Sequence, residues 1–554
     1  MSWSLRTDPS GFRVRWSEET AQRYRAAGYW RDETLTDSAR AALRENPDGV
    51  LLIEGERRLT RAQAWDQALR LVAFFNARGL KAGDVISFQL PNWVETAAIA
   101  LAARMAGLVI NPIPPIYRES EIGYILKDCG SKLAFIPEIF RRHDHLAMFE
   151  GLRSQLPALG DIVVVRGEAR GEAVALETAL DRAPAREADL PKVEASSVMM
   201  VMYTSGTTGK PKGVLHSHYT FDYRVRSMGE VWGIGPKDVV FMPSPVTHIT
   251  GAFWAFDMPW VHGFTSLLVD VWAPDEAVEL IQQRRATVSG GATPFLQQLL
   301  DIGRTRPEAL ASLRLFFCGG TTVAPDLVRA ASETFPNCLF FRAYGSTEQT
   351  TVTVGARTRA QAQMGAETDG ELIAPTEVRI VDPATGEPVP DGEEGEIVGR
   401  GPELFVGYLH PEDNEPSFDD EGFFRSGDLG RRVHGNYLVI TGRKKDIIIR
   451  SGENISPKEV EDVLFNHPAV AEAAIVSMPS RTTGEMGCAF IIPRAGASID
   501  LPEIRRFLTE AGLARQKFPE HLVIVDDLPR VPSGKVRKDE LRRQAKTIAE
   551  AMAS

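Results

Sequence analysis

From about Val85 to Gly345 the chain keeps returning to short apolar runs rich in Val, Ile and Phe: VISFQL, LVINPI, KLAFI, DIVVV, VMMVM, VVFM, TSLLV, LRLFF and LFFRAYG. Segments of helical pattern separate them. Runs this short and this continuously apolar suit strands buried on both faces, and the spacers suit crossover helices, so the stretch reads as parallel sheets covered by helices. Ligands of such sheets bind at the carboxyl ends of the strands, where loops begin. The 554 residues exceed what one ordinary core holds, so two or more domains are expected.

The texture then changes twice. After about Asp369 the chain reads VRIVDPATGEPVPDGEEGEIVGRG, with turn signals between alternating segments, which predicts a small antiparallel β subdomain. After Gly442 the charged run RKKD precedes an α+β pattern: IIIR, the helix PKEVEDVLF, the strands AEAAIVSM and GCAFIIP, the helix LPEIRRFL, the strand HLVIVD and the helix KDELRRQAKTIAEAM. A charged hinge between a large and a small domain is the natural reading.

Charge and composition exclude several classes. A formal charge of -11 argues against a broad nucleic-acid or anionic-membrane surface, since phosphate backbones are held by clustered Lys and Arg. Cys129, Cys318, Cys338 and Cys488 are far apart and form no C-x-x-C pair, so neither a zinc site nor a disulfide framework is expected and a reducing compartment fits. The stretch MSWSLRTDPSGFRVRW lacks the apolar core of a signal peptide, which points to the cytoplasm. The most apolar stretch, Thr96 to Ile110, is broken by Arg104 and followed by Pro112 and Pro114, short of the about 20 residues a membrane span needs. It predicts a buried helix feeding a strand.

Directly after VMMVM comes YTSGTTGKPKG, Tyr203 to Gly213. Its glycines let backbone N–H groups approach a ligand, Ser205, Thr207 and Thr208 offer hydroxyls, and Lys210 or Lys212 adds charge, a combination that suits phosphates. It is not a Walker A loop, because Gly206 and Gly209 are too close together and Pro211 follows Lys210.

Further on stand YGSTE (Tyr344 to Glu348), SGDLG (Ser426 to Gly430), GRKKDIIIRSGENISPKEVE (Gly442 to Glu461) and PSGKVRK (Pro532 to Lys538). In this order and spacing the set resembles the adenylate-forming superfamily of acyl-CoA synthetases, peptide-synthetase adenylation domains and beetle luciferases, over nearly the whole chain from about Thr34. The resemblance implies an α/β fold: a large N-terminal domain, 1–442, of two wound sheets plus a small β-barrel at about 369–441, a hinge at 443–446, and a mobile α+β C-terminal domain at 447–554. It implies ATP, Mg2+ and coenzyme A as the small molecules used with a carboxylic acid. A homodimer is the one assembly left open.

The implied first step is attack of a carboxylate on the α-phosphate of ATP. Lys535 resembles the catalytic lysine, a flexible point charge between two anions. Glu348 resembles the magnesium ligand. Thr204 joins this catalytic set, with Ser205, Gly206, Thr207, Thr208, Gly209, Lys210 and Lys212 around the phosphates. Gly319, Gly320 and Thr321 of CGGTT, and Gly345, Ser346 and Thr347 beside Tyr344, complete the nucleotide contacts. Tyr344 is implied to stack on adenine, Asp428 to take the ribose hydroxyls, and Arg443 to support ribose or phosphate with its fork of donors. The family often has a small polar or acidic side chain two positions before the tyrosine, where this chain has Arg342.

One pocket must hold pyrophosphate first and admit a thiol later. Family members rotate the C-terminal domain, which makes Lys445 the hinge and brings Ser451, Gly452 and Glu453 to the coenzyme A arm as Lys535 leaves. The acid pocket is implied to be walled by Ser244 to Phe256, Gly290 to Phe295 and Cys318 to Thr322, with His248 beside the carboxylate and Gly251, Phe253, Gly291 and Gly319 along the acyl group. These segments carry few charges, which favours an apolar acid. The likeness is to short- and medium-chain and cyclohexanecarboxylate CoA ligases. The N-terminal YRAAGYW resembles stand-alone dihydroxybenzoate-AMP ligases, which load a carrier protein instead. His216 and His218 read as structural. Ser480 stands where CoA ligases usually have Asp.

Overall fold

The computed structural model describes residues 3–204, 211–320, 323–531 and 534–553. Two seven-stranded sheets form the large domain. The first runs Val174–Ala175, Asp161–Val165, Leu133–Pro137, Val85–Phe88, Val109–Pro112, Val198–Thr204 and Lys212–Ser217. All its neighbours are parallel except the last pair, a hairpin that puts Thr204 opposite Lys212. The second runs Leu339–Ala343, Leu315–Gly319, Val288–Gly291, Val239–Met242, Thr265–Leu268, Val50–Glu54 and Arg57–Thr60. It too is parallel apart from the hairpin at its edge. The parallel sheets match expectation, but each carries an antiparallel edge strand, and the hairpin from Val50 to Thr60 lies before the stretch read as βαβ.

The sheet that follows has six strands, Thr353–Val354, Glu371–Leu372, Tyr437–Arg443, Phe424–Val433, Gly395–Arg400 and Glu377–Val381. Among the described residues its pairing path is open, so the expected barrel is an antiparallel sheet that starts ahead of Asp369. Its first two strands are two residues each, too short to supply a closing ladder. The C-terminal α+β domain is built on five strands, Glu453–Ile455, Ile448–Arg450, Gly484–Pro493 and Val470–Ser480 with His521–Ile524 on the far side of Gly484–Pro493. The helices Pro457–Leu464, Leu501–Glu510 and Lys538–Ala553 fall where the periodicity places them.

The largest core cluster draws on both seven-stranded sheets, and the helix Glu95–Met105 belongs to it. That helix, ETAAIALAARM, is buried from Thr96 to Met105, because small side chains on all faces let it lie close to its neighbours. No helix among the described residues is long and apolar enough to cross a membrane. Rings such as Phe74, Phe75, Phe88 and Phe135 are fully buried, each contributing about 1.5–3 kcal/mol relative to exposure. Arg166 ties the first sheet to the second, donating to Glu54 at 2.6 Å and to Glu95 at 2.7 Å. All four cysteines are free and buried.

Two ion pairs lie in the interior. Arg104 meets Asp257 at 3.0 Å, and Arg224 meets Glu403 at 3.1 Å with both side chains fully excluded from solvent. Glu403 also accepts from Gln349 Nε2 at 3.0 Å and Thr376 Oγ1 at 2.9 Å. Removing one partner of such a pair leaves a charge without compensation. Arg224→Met is therefore expected to cost about 3–5 kcal/mol in urea unfolding, and a cost below about 1 kcal/mol would remove Glu403 from the stabilising core.

Candidate active site

Both seven-stranded sheets end near Glu348, and that convergence builds the site. Strand Val198–Thr204 delivers Thr204, whose hydroxyl lies 3.4 Å from Glu348 Oε1. Strand Leu339–Ala343 runs into Tyr344, Gly345, Ser346 and Thr347, and this turn is fixed at several points. A Cβ on Gly345 would sit 2.4 Å from Thr351 N, so only glycine fits there. Ser346 Oγ accepts from Gln349 N at 3.0 Å, and the Thr347 carbonyl meets His216 Nε2 at 2.7 Å. His216 is thus structural, as read; burial pushes it down to about 4, so it is neutral at pH 7. His218 is buried as well and pushed down to about 3 by the same cause, helped by Arg104.

Glu348 has a second neighbour that no motif marks: Tyr408 donates to Oε1 at 3.2 Å. Oε2 has no protein partner among the described residues. Among the described residues no three His, Cys, Asp or Glu side chains cluster there as a metal cage. One carboxylate with hydroxyls beside it fits an ion that takes most of its ligands from phosphate and water, as Mg2+ does.

The second half of the site centres on Asp428. It lies on strand Phe424–Val433 directly opposite Arg443 across an antiparallel pair. Arg443 Nε donates to Asp428 Oδ1 at 2.5 Å and the Tyr344 hydroxyl to Oδ2 at 2.8 Å. Each carboxylate oxygen keeps a further lone pair for a ligand hydroxyl. The attraction of Asp428 raises the Arg443 pKa, and burial raises that of Tyr344.

Lys535 belongs to this group. Its loop closes through Val531 N to the Lys535 carbonyl at 2.8 Å and rests on the large domain, where a Cβ on Gly534 would stand 3.5 Å from Ala292 and 3.6 Å from Pro294. Desolvation in the cleft pushes the Lys535 ammonium down to about 8; Arg443 and Lys445 push the same way, while Asp428 and Asp446 oppose. Lys535 is nonetheless exposed to solvent by accessible surface, so the desolvation is partial. Burial, with the charge of Lys535 nearby, pushes His248 down to about 4. His248 caps the short helix Ile249–Ala252, which continues as a π-turn at Phe253–Asp257, a distortion often found at functional sites.

The remaining expected residues are placed as follows. Lys212 is paired with Asp413 at 2.9 Å and lies over the Tyr408 ring. Phe253 is stacked on Phe221 at 4.1 Å inside the core, 2% exposed. Gly251 is a close-approach glycine, since a Cβ would meet the Pro245 carbonyl oxygen at 2.0 Å, and Gly291 has Phe295 and Ser244 against it. Gly319 touches the Ala343 carbonyl oxygen in the same sense, and Gly320 has φ +77°. Ser205 to Lys210 and Thr321 lie outside the described residues. Ser451 and Gly452, both at positive φ, form the exposed two-residue turn of the hairpin that pairs Arg450 with Glu453. Lys445 sits in the short turn Lys444–Asp446, where Asp446 accepts from Arg542 at 2.7 Å. Ser480 Oγ accepts from Thr483 N at 3.2 Å and so serves its own turn.

Arg342 is turned into the interior. It is 2% exposed and donates to the carbonyls of Thr368 at 3.0 Å and Val323 at 3.1 Å.

The AMP-binding enzyme family model matches residues 39–409, and the model of the AMP-binding enzyme C-terminal domain matches 459–535. The chain is 35% identical to medium-chain fatty-acid–CoA ligase of Escherichia coli, over 96% of this chain and 95% of that one. It is 31% identical to 2,3-dihydroxybenzoate-AMP ligase of Bacillus subtilis, over 95% and 96%. Among solved structures, ATP-bound MatB from Rhodopseudomonas palustris superposes with a TM-score of 0.83 at 28% identity, covering 93% of this chain and 100% of that one. The chain belongs to the AMP-binding enzymes of the adenylate-forming superfamily.

Proposed function

We propose that the protein is an AMP-forming acid–CoA ligase acting on an apolar carboxylic acid, medium-chain or alicyclic, through an acyl adenylate. The observation that supports the reading is the Asp428–Arg443–Tyr344 cluster, whose charges, like His248, lie within electrostatic reach of Lys535. In the first step a carboxylate oxygen bonds to the α-phosphorus of ATP, and the bond from that phosphorus to the bridging oxygen of the β-phosphate breaks. Pyrophosphate leaves with that electron pair. Lys535 offsets the charge that gathers at the α-phosphate. Asp428 and Arg443 hold the ribose, Tyr344 the base, and Thr204 with Ser205 to Lys210 the phosphates. Glu348 would hold Mg2+, which neutralises phosphate charge when bound. His248, neutral at pH 7, adds no charge beside the incoming carboxylate.

In the second step the coenzyme A thiol attacks the acyl carbon and AMP departs. A lysine locked against the phosphates serves the first step and obstructs the second. The domains are taken as 1–442 and 447–554, with Lys445 in the hinge at 443–446 as the pivot and the Ser451–Gly452 turn as the segment that meets the pantetheine arm. Gly452 has nothing within 4 Å of where a Cβ would stand, so the turn is free to receive a ligand. Buried thiols suit a reducing cytoplasm. The similarity to 2,3-dihydroxybenzoate-AMP ligase supports a second reading, an aryl adenylate passed to a carrier protein.

Pyrophosphate release with ATP and Mg2+ over butanoate, hexanoate, octanoate, cyclohexanecarboxylate, benzoate and 2,3-dihydroxybenzoate, each with and without coenzyme A, separates the two. Coenzyme A-dependent turnover on an aliphatic or alicyclic acid is expected; turnover confined to dihydroxybenzoate and indifferent to coenzyme A selects the carrier reading. Lys535→Ala is expected to slow adenylation by about 10²–10³-fold while sparing thioester formation from supplied acyl adenylate, and Lys445→Pro to do the reverse. Equal loss of both steps in both variants rules out the two-arrangement account. The lysine is cationic below its folded pKa and neutral above it, so kcat/KM for adenylation should fall as pH rises through about 8. Lys535→Arg should flatten that fall; an unchanged profile assigns the titration to another group.

A further inference from the structure

The helix Pro457–Leu464 of the C-terminal domain lies against the large domain in the arrangement that has Lys535 in the site. Phe465, just past its end, packs against the cluster that contains Leu327, Val328 and Phe340. Asn466 Nδ2 donates to Asp326 Oδ2 at 2.6 Å, and the other oxygen of Asp326 is held by Arg329. A polar contact to Asp326 therefore stands beside the apolar contact of Phe465.

We propose that Phe465 and Asn466 form a docking latch, seated on the Leu327–Val328–Phe340 cluster and on Asp326, that holds Lys535 in the adenylating position. The proposal rests on the two-step reading above. These are positioning residues, acting through Lys535 and touching no substrate. The contacts are graded for release: an exposed hydrogen bond and a half-buried ring give way where a large apolar interface would not. Rotation about Lys445 has to break both, so the latch sets the balance between the two arrangements.

The test measures the two half-reactions separately in the full-length protein: acyl-adenylate formation in a single turnover without coenzyme A, and thioester formation from supplied acyl adenylate. In Asn466→Ala and Phe465→Ala the first should slow by about 5-fold or more with KM for ATP nearly unchanged. The second should be unchanged or faster. Phe465→Leu, which keeps the apolar contact, should restore most of the first rate. Asn466 is exposed, so Asn466→Ala keeps the test open if Phe465→Ala fails to fold. Variants that match an active wild type, or that lose both half-reactions equally, overturn the latch. A wild type that forms no adenylate from any acid overturns the two-step reading and the latch with it, and is told apart by that inactivity.

Discussion

A carboxylate and a triphosphate repel each other, and a protein that joins them has to bring positive charge to their contact and then take it away. The arrangement around Asp428 answers the first demand. A buried carboxylate shared by Tyr344 and Arg443 anchors one side of the cleft, and its charge keeps the Lys535 ammonium from being lost altogether to desolvation and to the repulsion of Arg443 and Lys445. Asp428 is held by strand register, since an antiparallel ladder fixes which residue stands opposite Arg443. Little of the position is left to side-chain choice.

The same economy appears at Glu348. Its backbone carbonyl takes the N–H of Phe405, and the residue after it, Gln349, is anchored to the buried Glu403–Arg224 pair. A single carboxylate can serve a divalent ion only if it is aimed, and here the aiming is done by charges with no access to water. The exposed ion pairs elsewhere on the surface are worth far less, because each end is already solvated.

Much of this was legible in the sequence. The short apolar runs named most of the parallel strands, the small-residue helix at Thr96 was found buried, and the ordered motifs led to Asp428 and Arg443, which the fold pairs near Lys535, and to Glu348, which it sets beside Thr204. What escaped has physical reasons. The strand Val288–Gly291, read VSGG, carries residues with poor strand propensity and earns its place by pairing on both sides. Tyr408 and Asp413 act on the site from a segment with no pattern, through contacts that only tertiary structure creates. Arg342 stood out as a departure near the adenine, yet its guanidinium is buried, bound to the carbonyls of Thr368 and Val323 and 3.6 Å from Asp369.

The burial of the cysteines carries a consequence of its own. Acyl adenylates and thioesters are acylating agents, and Cys318 stands in the segment CGGTT, next to Gly319. Burial pushes the thiols of Cys129, Cys318 and Cys488 up to about 12 and raises that of Cys338 still further, so almost no thiolate exists at neutral pH. An enzyme that makes thioesters in the presence of its own sulfur must keep that sulfur from competing with the intended acceptor. Here the core that stabilises the fold also protects the protein from modifying itself.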